Sequence, residues 1–422
     1  MHTKTKLANG LKLILAPLKE TKAATVLVLL PVGSRYEKEN INGASHFIEH
    51  LMFKGTKKRP TSLDLTKELD AVGAEFNAFT AKDHTGYYIK AAAEHINLAF
   101  DILSDMIFNS QFVESEMEKE RGVIIEEINM YEDNPMIYVG SLFEQTLFPE
   151  SSLGWQISGP KTVIKDITRN QLLAYKEKYY QPHNMVLTVA GNFKPAKAKA
   201  LAAKYFKETA RKKEKPGFKV FKLNQTRPQV ELKTKETEQA QICLGFPAYA
   251  LNDRRLYPLY LLSVILGGNM SSRLFTAVRE KHGLAYYIKS DLGAFADIGE
   301  LVIQAGLDKS RIKQAIALIL SELKKIRDEG VTDKELASAK EFLKGKLVLG
   351  LEDSENVADW FGKQELLLNK TLTPEEKIKK IFAVKKSDLS KAAKELIREE
   401  YLNLAVIGPF KEKAEFEKLL RL

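Results

Sequence analysis

Residues 167–193 read ITRNQLLAYKEKYYQPHNMVLTVAGNF, and residues 384–410 read VKKSDLSKAAKELIREEYLNLAVIGPF. The two segments align without a gap, and each predicts a helix followed by an apolar strand that ends at a glycine, Gly191 or Gly408. A repeat of roughly 200 residues is too long for a solenoid, whose units run from about 20 to 50 residues. The pair therefore predicts a duplicated domain.

A second pair of segments repeats in the same way. Residues 85–107, TGYYIKAAAEHINLAFDILSDMI, and residues 299–323, GELVIQAGLDKSRIKQAIALILSEL, each predict a strand, a short turn and an amphipathic helix. The strands predicted in the first half are Leu11–Ala16, Ala24–Pro31, Phe76–Phe79 and Tyr87–Ala92. Mixed with long helices, they indicate an α+β fold of two tandem α/β sandwich domains, each with a mainly antiparallel sheet and helices packed on it.

The boundary between the two domains is predicted at Arg211–Leu223, RKKEKPGFKVFKL, which combines charge, proline and glycine and divides the chain nearly in half. We expect an N-terminal domain over residues 1–210, a linker at 211–223 and a second domain over 224–422. A chain of 422 residues with 44% apolar content is long enough for two cores.

Composition excludes several classes of protein. The single cysteine, Cys243, rules out a disulfide framework and indicates a cytoplasmic or otherwise reducing location. The longest apolar run, Ala23–Val32, is about half the roughly twenty residues that a membrane span requires, so no membrane partner is expected. The net charge of +10 comes from basic residues that mostly alternate with acids along helices, which favours a solvated surface over a nucleic-acid groove.

Residues 43–56, GASHFIEHLMFKGT, carry the strongest chemical signal in the chain. On a helix, the apolar side chains form one stripe, consisting of Ala44, Phe47, Ile48, Leu51 and Met52. The opposite face carries His46, Glu49, His50 and Phe53. Histidines that served only as core residues would lie in the apolar stripe, so their position on the other face favours a metal site.

Histidines at i and i+4 project side by side, and two ring nitrogens at that separation can bind one ion. Zinc suits imidazole with carboxylate, and a catalytic zinc site keeps three protein ligands and one open position. A third ligand must therefore come from an Asp, a Glu or another His. Glu49, next to His50, is better placed to take a proton from water at the open position.

This stretch resembles the opening HxxEH motif of the pitrilysin-type (M16) metallopeptidases, also called inverzincins, including the trailing Phe53, Gly55 and Thr56. The resemblance spans essentially the whole chain and implies a zinc-dependent endopeptidase related to the short-chain M16B subfamily, which includes the β subunit of the mitochondrial processing peptidase. In that family a glutamate seventy-seven residues after the second histidine completes the Zn²⁺ site, and an auxiliary acid precedes it by seven residues. Glu127 and Glu120 match these positions.

The helix predicted around these acids supports the match. A core stripe is formed by Met117, Ile124, Ile128 and Tyr131. Glu120 and Glu127 flank this stripe, where a carboxylate can be partly buried near a cation. The alternative is an ordinary Glu-rich surface helix. Glu126, the nearest competitor as a ligand, points about 100° away from Glu127.

The repeat offers an independent comparison. Residues 112–128 align with 331–347, which places Ala339 opposite Glu120 and Lys346 opposite Glu127. A lysine cannot ligate zinc, and the second half contains no HxxEH. The metal chemistry is therefore expected in the first half only.

The resemblance also implies substrate-binding residues. An Arg and a Tyr seven apart reach the substrate from the C-terminal half of the family, and Arg279 and Tyr286 match them. Such groups can hold a peptide backbone and stabilise an oxyanion, so we expect them to contribute to catalysis as well as binding. The segment EFNAFTAKDHTGYYIK, residues 75–90, resembles the family's edge strand, where Asn77 and Ala78 would pair with a substrate peptide added as an extra strand.

Family members of this length carry two of the four domains that close a chamber, so the resemblance implies a homodimer that encloses short or unfolded peptides. Two other functions stay open within the same fold: a non-catalytic assembly subunit, and a processing peptidase for targeting presequences. Nucleic-acid binding through the basic surface is the third alternative, from a different class of protein.

Overall fold

The computed structural model describes residues 2–209 and 216–422 and contains two β-sheets with helices packed on them. The predicted α+β fold with two mainly antiparallel sheets is confirmed. Of the predicted linker, residues 211–215 lie outside the described part, and 216–223 form neither helix nor strand. Within the described part, no helix combines the length and the apolarity that a bilayer crossing needs.

The secondary-structure elements are numbered along the chain. The strands are β1 (Thr3–Lys6), β2 (Lys12–Pro17), β3 (Ala23–Leu30), β4 (Glu75–Thr80), β5 (Thr85–Ala92), β6 (Val186–Gly191), β7 (Gln229–Thr234), β8 (Gln239–Ala248), β9 (Ala285–Ala294), β10 (Gly299–Asp308) and β11 (Asn403–Gly408). The helices of the first 210 residues are α1 (Ala44–Leu51), α2 (Ser62–Asp70), α3 (Ile96–Asn109), α4 (Glu114–Asp133), α5 (Pro135–Leu147), α6 (Lys161–Asp166), α7 (Arg169–Tyr179) and α8 (Pro195–Tyr205). The remaining helices are α9 (Leu256–Gly267), α10 (Ile312–Asp328), α11 (Asp333–Gly350), α12 (Ser354–Leu368), α13 (Pro374–Phe382), α14 (Lys386–Leu396) and α15 (Lys413–Glu417).

The two sheets share one order of strands. The first sheet runs β1-β2-β6-β3-β5-β4, and the second runs β7-β11-β8-β10-β9. Strand β1 adds an edge strand to the first sheet. Each sheet otherwise contains five strands that are successive in sequence, and these lie side by side in the order first, fifth, second, fourth and third. Each sheet also has one parallel pair, β2 with β6 and β11 with β7, while its other pairs are antiparallel. This shared topology agrees with the duplication read from the repeat.

The chain divides into two compact units that are not contiguous in sequence. The first unit comprises Met1–Ile128, Trp155–Phe218 and Val348–Leu372, and the second comprises Asn129–Gly154, Lys219–Leu347 and Thr373–Leu422. Helix α5 follows α4 and helix α12 follows α11, so they are corresponding elements of the two copies. Helix α5 packs on β8 and β11, whereas α12 packs on β3 and β6.

This exchange of helices was not visible from the sequence, which suggested contiguous domains at 1–210 and 224–422. An apolar helix face shows that the helix must cover a sheet, but it does not show which of two similar sheets it covers. The first unit consequently combines the N-terminal sheet with a helix from the C-terminal half of the chain.

Strand β3 shows why the first sheet needs two covering layers. Its sequence, AATVLVLL, is apolar at nearly every position, and all but its first residue are buried. Val26 and Val28 point into the core shared with helices that include α1 and α3, whereas Leu27 and Leu29 point to the other face. Because side chains alternate along a strand, a continuous apolar run indicates burial on both faces.

Helix α12 covers that second face, where Phe361 packs with Leu27 and Leu29. Phe361 is 7% exposed, and its replacement by alanine leaves a cavity against the sheet. We expect Phe361→Ala to lower the free energy of unfolding of the first unit by about 3 kcal/mol. Both tryptophans of the chain, Trp155 and Trp360, belong to this unit, so urea unfolding followed by tryptophan fluorescence measures the loss.

Phe382→Ala is the control, because Phe382 is 38% exposed and lies in the second unit. It should leave the tryptophan-detected transition within about 0.5 kcal/mol of the wild type. If Phe361→Ala gives an equally small change, α12 does not stabilise the first sheet.

Candidate metal centre

Helix α1 forms as predicted, with its five apolar side chains fully buried and its histidines on the other face. Gly43 precedes the helix with φ of 100°, a conformation that favours glycine. A Cβ at this position would also lie 2.6 Å from the Ser158 carbonyl oxygen and 2.6 Å from Ile164 Cδ1. Glycine is therefore required here by both conformation and space.

Glu37 fixes the start of α1, a role that sequence reasoning missed. Its buried carboxylate accepts hydrogen bonds from the backbone N–H groups of Gly43 and Ser45, both at 2.7 Å, and from the Asn42 side chain at 2.9 Å. Burial raises the pKa of Glu37, and the hydrogen bonds from Ser45, Asn42 and Gly43 oppose that rise. Because Glu37 lies outside the usual capping position, no local motif signals its contact with the helix.

Helix α4 brings Glu127 to the two histidines. The Glu127 Oε2 atom lies 3.5 Å from His46 Nε2 and 3.5 Å from His50 Nε2. The two imidazole rings are 4.7 Å apart between centroids, and one potential ligand atom from each of the three residues lies within 4.8 Å of the others. Glu126, the competing acid, is exposed on the same helix.

These distances suit a shared ion. For an ion about 2.1 Å from each ligand in tetrahedral geometry, two ligand atoms lie about 3.4 Å apart. The two nitrogen to oxygen distances of 3.5 Å match that value closely. Two imidazoles and one carboxylate form a ligand set typical of zinc sites that keep an open position.

Glu120 contacts His50 at Nδ1, the ring nitrogen that does not face Glu127. Its Oε2 atom lies 3.0 Å from His50 Nδ1, and its Oε1 atom lies 2.6 Å from Lys54 Nζ. An acceptor at Nδ1 favours the tautomer that leaves Nε2, on the side of Glu127, unprotonated. Lys54 was not selected from the sequence, and it lies beyond the end of α1 at Leu51, where helical spacing does not apply.

The pKa values of the two histidines are shifted in opposite directions. Burial, together with repulsion from His50, lowers the pKa of His46 to about 4, so this ring is neutral near pH 7. Burial alone would lower the pKa of His50, but hydrogen bonds with Glu127 and Glu120 outweigh it and raise the pKa. A metal ligand must be neutral imidazole, and His46 already has that form.

Glu49 projects from α1 beside this group without belonging to it. Its Oε2 atom accepts a hydrogen bond of 2.5 Å from Thr80 Oγ1 at the end of β4. Burial raises the pKa of Glu49, and the Thr80 hydrogen bond partly opposes the rise. Thr80 was also missed by sequence reasoning, since its contact crosses from a strand to a helix thirty-one residues earlier.

Strand β4 carries Asn77 and Ala78 and is an edge strand, because it pairs only with β5 in the first sheet. Asn77 is exposed, and its Oδ1 atom accepts a hydrogen bond of 2.9 Å from the Ala78 backbone N–H. An edge of this kind can accept an additional extended strand.

Arg279 and Tyr286 belong to the second unit, whereas the histidines and glutamates described above belong to the first. Arg279 lies in a π-helix, Phe275–Lys281, a rare form that is frequent at functional sites. Its guanidinium carbon lies 4.8 Å from the Phe275 ring centroid and 6.0 Å from that of Tyr286. Tyr286 is the second residue of the edge strand β9 and is 72% exposed.

Comparisons with known proteins cover nearly all of this chain. Residues 13–161 match insulinase (peptidase family M16), and residues 166–343 match the peptidase M16 inactive domain. An uncharacterized zinc protease of Bacillus subtilis is 38% identical over 405 residues, which cover 95% of this chain and 97% of that protein. An uncharacterized zinc protease of Streptomyces coelicolor is 36% identical over 415 residues, covering 97% of this chain and 90% of the relative.

Solved structures show the same architecture. A protease from Helicobacter pylori superposes with a TM-score of 0.91 at 25% identity, covering 97% of this chain and 99% of that one. A peptidase M16 inactive domain from Pseudomonas fluorescens has a TM-score of 0.90 at 17% identity, covering 98% and 99% of the two chains, which shows a common fold. From the shared fold, the two domain matches and the similarity to the bacterial zinc proteases, it follows that this chain belongs to peptidase family M16.

Proposed function

We propose that this protein is a zinc-dependent endopeptidase in which His46, His50 and Glu127 bind Zn²⁺. The observation that carries the proposal is the pair of 3.5 Å distances from Glu127 Oε2 to the two Nε2 atoms. They agree with the roughly 3.4 Å separation of ligand atoms around a tetrahedral zinc ion. The relatives named zinc proteases support the same assignment.

A zinc ion held by these residues would supply Lewis acidity, lowering the pKa of water at its open position to about 7. Glu49 would act as the general base: its carboxylate would take up a proton from the attacking water and give it to the leaving amine as the peptide C–N bond breaks. Glu120 keeps His50 oriented through Nδ1, and Lys54 holds Glu120 in place. The role of the surrounding residues is thus to position a base and three ligands in a partly buried site.

The match to the inactive domain does not weigh against this activity. That match covers residues 166–343, whereas all three proposed ligands and Glu49 lie within the matched range 13–161. A non-catalytic assembly subunit is the alternative, and such subunits of the family typically lose a ligand or the base. This chain retains each of them.

The proposed substrate is an extended peptide or an unfolded segment of a polypeptide. The open edge of β4, with Asn77 and Ala78, is suited to pair with a peptide backbone as an added strand. Arg279 and Tyr286 would hold the peptide backbone and stabilise negative charge on its carbonyl oxygen. Cleavage of targeting presequences would be a special case of this activity.

The proposed function first predicts how the metal and the base respond to substitution. Glu127→Gln should remove zinc and cleavage together, because an amide is a poor zinc ligand. Glu49→Gln should retain zinc while lowering the rate of cleavage of a quenched fluorescent peptide by about 10²- to 10⁴-fold. Zinc is measured by atomic emission, and chelation should abolish cleavage by the wild type.

Glu126→Gln provides the matched control, since it changes the exposed acid next to Glu127 and should leave zinc and cleavage unchanged. Zinc retention by Glu127→Gln would refute the ligand set, and full activity of Glu49→Gln would refute the base. A wild-type protein that holds zinc but cleaves no peptide would support the assembly role.

A second prediction concerns the substrate residues of the second unit. Arg279→Ala should lower kcat/KM by about 10²-fold because it removes a cation from the proposed peptide-binding surface. Zinc content should not change. Lys281→Ala, which removes an exposed cation from the same π-helix, is the control, and an equal loss in both variants would contradict a specific role for Arg279.

A third prediction concerns assembly. We propose a homodimer, because this chain contains both the HxxEH motif and the Arg279 and Tyr286 pair, and no second kind of chain is needed to supply either. Light scattering coupled to size exclusion should give twice the mass of one chain. A monomeric mass for a protein that cleaves peptides would contradict the dimer.

A cytoplasmic location remains a prediction from the single cysteine.

A further inference from the structure

We propose that Thr80 is a positioning residue for Glu49: its hydroxyl fixes the carboxylate of the base and links that base to the strand that receives the peptide. This inference rests on the proposed peptidase function and concerns how the base is held. Within the described part of the chain no hydrogen bond joins Thr80 to the proposed zinc ligands, and this assignment gives Thr80 no contact with the reacting atoms.

The hydrogen bond from Thr80 is specific to one oxygen of Glu49. Thr80 Oγ1 donates to Glu49 Oε2 at 2.5 Å, and within the described part of the chain this is the one hydrogen bond to that carboxylate. A glutamate has three side-chain torsions, and fixing one oxygen restricts all of them. Oε1 accepts no hydrogen bond from the described residues, so both of its lone pairs remain able to accept a proton.

Strand β4 provides a rigid support for this hydroxyl. Thr80 is the last residue of β4 and pairs with Thr85 of β5, whose own hydroxyl donates to the Val32 carbonyl oxygen at 2.8 Å. At the other end of the contact, the Phe53 and Phe76 rings lie 6.2 Å apart and join the end of α1 to β4. The segment at the end of α1 therefore contacts β4 at a second place besides the Thr80 hydrogen bond.

The edge of β4 that is not paired with β5 is the one proposed to pair with the substrate. A peptide that adds to β4 takes its register from the same six-residue strand whose last side chain fixes the base. The distance from the peptide backbone to Glu49 is then set by the geometry of one strand. This explains why a threonine, with a hydroxyl on a stiff β-branched side chain, suits the end of β4.

The test compares Thr80→Val, which has the same shape without the hydroxyl, with Thr80→Ser, which keeps the hydroxyl. In the zinc-loaded protein, Thr80→Val should lower kcat by about 10- to 100-fold, because a misplaced catalytic group can cost that much. KM and zinc content should stay within about twofold of the wild type, since neither depends on Glu49 orientation in this proposal. Thr80→Ser should recover most of kcat.

A measurement without turnover separates positioning from substrate contact. In the Glu49→Gln background, adding Thr80→Val should leave the dissociation constant for a fluorescent peptide unchanged, because Thr80 acts only through Glu49. A weaker peptide affinity would mean that Thr80 binds substrate directly, and would overturn the proposal.

Three further results would also overturn it: wild-type kcat in Thr80→Val, equal losses in the Val and Ser variants, or a change confined to KM. If Thr80→Val does not fold, Thr80→Ala gives the same comparison with Ser. A wild-type protein without peptide cleavage would refute the peptidase proposal and this inference together, whereas an active wild type with an equally active Thr80→Val refutes only the role of Thr80.

Discussion

The meeting of the Glu127 carboxylate of α4 with the two imidazoles of α1 is the contact on which the proposed chemistry depends. It requires two helices from separate parts of the first unit to approach within a few ångströms through polar side chains. Burying such groups is unfavourable unless each finds a partner. The surrounding residues provide those partners, and they also determine which protonation state each group takes.

Those partners form a continuous chain of contacts. Lys54 forms an ion pair with Glu120, Glu120 is hydrogen-bonded to His50, and His50 and His46 both face Glu127. The hydrogen bonds to Glu127 and Glu120 raise the pKa of His50 despite its burial, whereas burial lowers the pKa of His46. If these residues bind a metal as proposed, their closeness in the folded protein would lower the reorganisation needed on binding.

The sequence was sufficient for the features that depend on local periodicity. The apolar stripe of α1, five of the six strands of the first sheet and the repeat were all visible because helices and strands impose periods of 3.6 and 2 residues. Glu127 was reached through the family resemblance, since no local spacing connects it with His50. The contacts made by Glu37 and Thr80 were not visible, because each depends on the packing of one particular side chain between distant segments.

The exchange of α5 and α12 determines when the first sheet can be completed during synthesis. Its second face carries Leu27 and Leu29, yet the helix that covers them ends at Leu368 of 422 residues. A nascent chain that has emerged only as far as β6 therefore exposes an apolar surface to solvent and chaperones. The half that contains the histidines reaches its final packing only after the chain has been synthesised as far as Leu368.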